Sequence, residues 1–123
     1  MEQEKIVFTT EDVNANKVYG ILCYIGILFI IPLFIVKDSQ YTKFHSNQGL
    51  LLFIMHLVLR VIKRILVFLL NVGTLGLMTG MVGDLVSILT GIVSVTFIII
   101  GIVNACSGEP KTLPIIGGIT LIK

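Results

Sequence analysis

The sequence predicts an all-α integral membrane bundle of three transmembrane helices, with four crossings as the alternative and one strongly amphipathic helix in either case. Three observations predict it. First, 55% of the 123 residues are hydrophobic and 13% are charged, with a mean hydropathy of +1.02. A soluble domain carries about 25% charged residues, and half that charge cannot cover a small globule. Second, the charges are clustered. Residues 18–36, 65–83 and 85–108 carry none, and residues 44–59 contain only the two histidines His45 and His56. Third, these stretches approach or exceed the ~20 apolar residues that a bilayer core requires of a helix. The expected division is a polar, partly helical segment 1–17, a transmembrane domain 18–106 with spans at about 18–36, 47–71 and 85–106, and a turn with an interfacial tail at 107–123.

The first segment mixes Glu2, Glu4, Lys5, Glu11, Asp12 and Lys17. Thr9 and Thr10 ahead of Glu11 and Asp12 predict a helix start, with a hydroxyl cap and acids in the first turn. Glu2 and Glu4 stand where a secretory signal is basic, and no A-x-A pattern follows the first apolar run, so 18–36 is expected to be a retained anchor. Its 19 residues would extend about 28 Å as a helix. Gly20, Cys23 and Gly26 allow close approach by another helix, and Tyr19 and Tyr24 suit the interface. Pro32 removes a backbone donor near the exit and predicts a kink there. A polar turn follows at 37–40.

The second helix opens at Phe44-His45-Ser46-Asn47-Gln48-Gly49-Leu50 and is expected to run to about Asn71. At 100° per residue, His45, Gln48, Gly49, His56, Arg60, Lys63, Arg64 and Asn71 fall within a stripe about 160° wide, and the opposite face is apolar. A charge at the centre of a spanning helix costs roughly 2.5–3.5 kcal/mol on insertion scales. Three placements would relieve it. The stripe faces the bundle; or the helix lies in the interface; or 44–59 crosses once, 65–82 crosses back, and the cluster meets water. No Gly, Pro or Asn separates Arg64 from Ile65, which disfavours a tight turn. With four crossings, however, Lys5, Lys17, Arg60, Lys63, Arg64, Lys111 and Lys123 share one side against Lys37 and Lys43, a clear positive-inside bias. Both readings stand at this point.

Four glycines lie within 72–83, which weakens a helix and predicts a hairpin there. In the last span, Ser87, Gly91, Ser94, Gly101 and Ala105 recur at helical spacing. Such a face lets helices pack closely in lipid. Gly108 and Pro110 stop that helix, and the apolar run from Ile115 is short enough to lie along the interface.

The segment Phe44-His45-Ser46-Asn47-Gln48-Gly49-Leu50-Leu51 resembles the F-H-x-x-Q-[AS]-L signature of a widespread family of small bacterial membrane proteins. That family is distantly related to the twenty-kilodalton translocon subunit of the chloroplast inner envelope. Gly108-Glu109 followed by Leu113-Pro114-Ile115-Ile116-Gly117 is similar to its G-E-x-x-x-L-P-x-x-G ending. The resemblance covers about residues 18–118. It implies three membrane helices, four in the plastid relative, and a bacterial cytoplasmic membrane as the location. It implies little chemistry. Arg60, Lys63 and Arg64 depart from a second span that is usually apolar in the family, and Gly49 replaces its usual Ala or Ser.

The residues themselves carry few chemical constellations. His45 and Gln48 are expected to form a hydrogen-bonded knot that ties the second helix to the tail, through Glu109, with proton or headgroup contact as the alternative. His56 stands one turn before Arg60; with no second histidine or mid-span acid on a matching face, a proton relay there is only the lesser alternative. Arg60, Lys63 and Arg64 read as a cluster for anionic lipid headgroups, worth about 1 kcal/mol per charge, or as a basic lining for an anion inside a bundle. Asp84 is expected to sit by a helix N-terminus or to pair with Arg64. Cys23 and Cys106 read as small packing residues. No nucleophile stands beside a base, no metal spacing occurs and no phosphate loop follows a strand, so neither an enzyme nor a cofactor is expected. No basic run suits nucleic acid. The expected partners are the bilayer, further copies of the chain or another membrane protein. The expected role is an accessory or scaffold subunit, with a small homo-oligomeric pore or translocation component as the alternative.

Overall fold

The computed structural model describes residues 7–121. Within them the chain forms α1 (Thr10–Leu22), α2 (Ile30–Ile35), α3 (Gln40–Gly73) and α4 (Thr79–Ser107), with no strand. It divides into two units. One comprises residues 1–53 and 97–123, the other residues 54–96.

In the first unit α1 begins where its cap predicts. Thr9 is extended, and its hydroxyl accepts the Asp12 N–H at 3.2 Å. The expected continuous span over 18–36 is not formed. α1 ends at Leu22, and the chain to α2 winds through tighter bonds, Tyr24 N–H to Ile21 O, Ile25 N–H to Leu22 O and Leu28 N–H to Ile25 O. Two residues explain the break. Gly26 takes a left-handed φ of +54°, open to glycine at no steric cost. Pro32 has no N–H for the Leu28 carbonyl, which accepts from Ile31 instead. Apolar composition alone does not dictate an unbroken helix.

α3 starts at Gln40, four residues before the expected opening at Phe44 and seven before the expected span at 47, and its 34 residues extend about 51 Å. It passes Arg64 and Ile65 without interruption, so the crossing-back there is absent, as the lack of a turn residue implies. The hairpin is shorter than the glycines suggest and occupies 74–78. Leu75 and Gly76 carry φ of 52° and 83°. The Thr74 hydroxyl donates to the Leu70 carbonyl at 2.7 Å and closes the end of α3. α4 therefore begins five residues ahead of Asp84, which is exposed and outside the first turn. Gly108, with φ +71°, stops α4 as expected.

The first unit has a core of mixed character. Val13, Cys23, Tyr24, Phe29, Tyr41, Leu51, Leu52, Ala105 and Leu113 are buried beside Thr42, His45, Ser46, Asn47 and Gln48. The second unit, a helical hairpin, buries no residue. Phe68, Leu69, Ile88, Ile92 and Val95 are all more than half exposed. Apolar exposure on this scale marks a membrane or protein contact surface. Among the described residues one helix, α4, is long and apolar enough to cross a membrane.

Candidate functional site

Two polar constellations stand out, one in each unit. In the first unit the opening turns of α3 hold the C-terminal segment. Gln48 donates through Nε2 to the Gly117 carbonyl at 2.9 Å and accepts the Leu113 N–H through Oε1 at 2.9 Å. Asn47 repeats the pattern, donating to Ile119 O at 2.8 Å and accepting Leu121 N–H at 2.6 Å. A single amide can satisfy a backbone donor and a backbone acceptor at once, so two adjacent amides fix four backbone groups of a segment without regular structure. The knot expected at Gln48 therefore exists, but it does not run through Glu109. That carboxylate pairs on the surface with Lys111 at 3.2 Å.

His45 is fully buried and shares a 2.6 Å hydrogen bond between its Nδ1 and the Tyr24 hydroxyl. The rings of Phe8, Tyr24, Tyr41 and Phe44 surround it at centroid distances of 4.7 to 6.1 Å. Its Nε2 and the Thr42 hydroxyl have no hydrogen-bond partner. Tyr41 donates its hydroxyl to the Ala105 carbonyl at 2.6 Å and so joins α3 to the end of α4. Close approach is obligatory at several glycines, Gly20 against the Tyr41 ring among them. A Cβ on Gly49 would overlap the Cys23 carbonyl, one on Gly101 the Tyr24 ring, and one on Gly117 the Leu113 backbone. Gly49 is thus required by the break after α1, whose backbone lies against it. Cys23 is buried, with its thiol donating to the Tyr19 carbonyl at 3.1 Å, whereas Cys106 is exposed. Leu113 is buried and Pro114 exposed.

α1 meets the start of α3 through Asp12. Its carboxylate accepts from the Ser39 hydroxyl at 2.5 Å, the Tyr41 N–H at 3.2 Å and the Asn16 amide at 2.8 Å. Burial pushes the carboxyl up, but these three donors outweigh it and hold Asp12 below its ordinary value of 3.8. Asp12, Ser39, Tyr41 and Asn47 were not distinguishable from surface or interfacial polar residues in the sequence. The proximity of Asn47 to Gln48, two amides in succession at a helix start, was the one available signal.

In the second unit His56, Leu59, Arg60 and Lys63 of α3 face Ser87, Thr90, Gly91 and Ser94 of α4 across a groove of about 370 Å³. Lys63 Nζ donates to the Ser87 hydroxyl, which itself donates to Gly83 O at 2.9 Å. His56 Nε2 is buried without a partner. The expected pair between Asp84 and Arg64 does not form. Among the described residues the ion pair is Lys111 with Glu109. The small-residue face is divided accordingly. Ser87, Gly91 and Ser94 open the groove, and an added Cβ at Gly91 would meet nothing within 4 Å, while Gly101 and Ala105 are packed in the first unit.

An all-helical chain with a long apolar helix and large exposed apolar faces defines a membrane-associated protein. It belongs to the MamF/MmsF family, described as the magnetosome magnetite crystal formation protein family, whose model matches residues 15–122. No curated protein and no solved structure matches the chain. The expected bacterial membrane family is borne out in this form, and no match links the chain to the plastid translocon subunit.

Proposed function

We propose that the chain is a non-enzymatic, multi-pass accessory protein of the magnetosome membrane, acting in magnetite crystal formation as a helix-packing scaffold. The observation that carries this reading is how its polar groups are used. The motif side chains Gln48 and Asn47 bind the C-terminal segment, and His45 binds Tyr24. What remains outward on α3 and α4 is a broad apolar surface, suited to lipid and to other membrane helices. In the bilayer the chain would cross three times, at residues 18–36, within α3 and at α4, with Asp12 outside the first crossing. In the broken first crossing Cys23, Tyr24 and Phe29 are buried against protein, Gly49 and Phe53 among their neighbours, and the Tyr24, Ile25 and Leu28 N–H groups stay paired within the segment, as a bilayer requires.

Two measurements test this. Removing the chain from a magnetite-forming host changes the size or number of crystals seen by electron microscopy; unchanged crystals would refute the role. Purification from that membrane in mild detergent yields a stoichiometric membrane partner. The groove lined by Arg60 and Lys63 favours a second reading, a small homo-oligomeric pore. That reading requires a complex without partner, and a conductance in reconstituted vesicles that changes with Arg60→Leu.

A further inference from the structure

We propose that the groove in the second unit is a binding site for a phosphate-type oxyanion, carried either by an anionic lipid headgroup or by free phosphate. This inference is independent of the role in crystal formation. Three observations support it. The first is uncompensated charge. Arg60, Lys63 and Arg64 lie within five residues of one helix, and the single acid of residues 54–96, Asp84, pairs with none of them. In a hairpin whose other faces are apolar, cations without a counter-charge are costly, and an anion held in the groove by Arg60 and Lys63 lowers that cost.

The second observation is direction. Lys63 does not extend into the surroundings but turns across to Ser87, which holds its ammonium at the groove wall. An ammonium has three donors, so two remain for a ligand. Arg60 lines the same groove and adds a planar fork suited to oxyanions. The buried His56 Nε2 is unpartnered there. The third observation is room. Gly91 lines the groove without a side chain, and an added Cβ there would meet nothing within 4 Å. The volume of about 370 Å³ lies in the range of small-molecule sites and accommodates a phosphodiester with part of its glycerol, or phosphate with its first waters.

The test uses the full chain in maltoside micelles, which contain no phosphate. In one arm inorganic phosphate is titrated by calorimetry. In the other, phosphatidylglycerol is added and retained lipid is counted by native mass spectrometry. Saturable binding in the first arm assigns free phosphate. Retained lipid that phosphate does not displace assigns the headgroup. In whichever arm binds, Arg60→Gln and Lys63→Gln each weaken affinity about tenfold or more, the scale of one charge-assisted hydrogen bond. Lys43→Gln, which removes an exposed cation of the first unit, leaves it unchanged. Gly91→Leu keeps every charge and abolishes binding by filling the groove, with helicity checked by circular dichroism. No binding in either arm overturns the proposal. So does binding that survives Arg60→Gln and Lys63→Gln, or that falls equally with Lys43→Gln.

Discussion

Replacing Gln48 by Leu tests the structural centre of the first unit. The side chain is 1% exposed, and the groups it serves, Leu113 N–H and Gly117 C=O, belong to a segment with no ladder or helix to satisfy them. Leu retains most of the volume and removes both bonds. Each buried backbone group left unpaired costs about 1–3 kcal/mol, so the pair sums to roughly 2–6 kcal/mol. Pro114 and Ile115 are exposed, and water reaching the loosened segment brings the cost to the lower end. Local opening easier by about 2 kcal/mol corresponds to roughly 30-fold faster exchange. The assay is amide hydrogen exchange of the full chain in micelles, read at Leu113. Amides in the middle of α4 are the internal reference. Asn47→Ala is the control: it releases Ile119 and Leu121 and accelerates exchange at Leu121 more than at Leu113. Leu113 exchange within threefold of the native rate in Gln48→Leu, with α4 unchanged, would show that Gln48 does not hold the tail.

Other perturbations probe the same unit. Gly49→Ala places a Cβ on the Cys23 carbonyl and is expected to cost about 1–3 kcal/mol as residues 23–29 shift; a lowered midpoint of thermal unfolding in micelles checks it. Gly101→Ala displaces the Tyr24 ring and its bond to His45, with a similar loss of about 1–3 kcal/mol, and Tyr24→Leu added to it restores part of the stability. Gly91→Ala meets open space and instead raises stability by up to about 1 kcal/mol through helix propensity. Asp12 supplies a pH dependence. Its folded-state value lies below the ordinary 3.8, so its contribution is complete above that value and is lost as pH falls through the lower folded one. Exchange protection at the Tyr41 N–H, whose acceptor is Asp12, should therefore persist down to the ordinary 3.8 and be lost as pH falls further in the native chain. In Asp12→Asn the protection should be weaker and should not change over that range.

Much of the helical architecture is legible locally. The cap at Thr9, the stop at Gly108 and the absence of a turn between Arg64 and Ile65 each depend on the chemistry of a few adjacent residues, and each is found where that chemistry puts it. The turn at 74–78 is narrower than the glycine content suggests. Packing and the Thr74 cap let Gly73, Gly80 and Gly83 remain helical or at a helix end.

The candidate sites were less legible because their partners are remote. The stripe of Arg60, Lys63 and Arg64 is visible as periodicity, but that Lys63 turns toward Ser87 depends on how the hairpin closes. Gln48 is a recognisable motif residue, yet the groups it binds are the backbone of residues 113 and 117. Backbone donors and acceptors are the same in every residue, so sequence carries no mark of which are left for a side chain to satisfy.

The sequence by itself determined that the chain is helical and apolar, because charge spacing and hydropathy are sums over residues and need no coordinates. It also placed the helix start at the Thr9 cap and the stop at Gly108. Only the tertiary structure decided that the first apolar stretch breaks at 23–29, that Gly49 rather than a larger residue stands against that break, and that Asn47 and Gln48 close the fold on its tail. Those outcomes follow from steric exclusion and hydrogen-bond satisfaction between segments far apart in sequence, which come into contact only when the chain is folded.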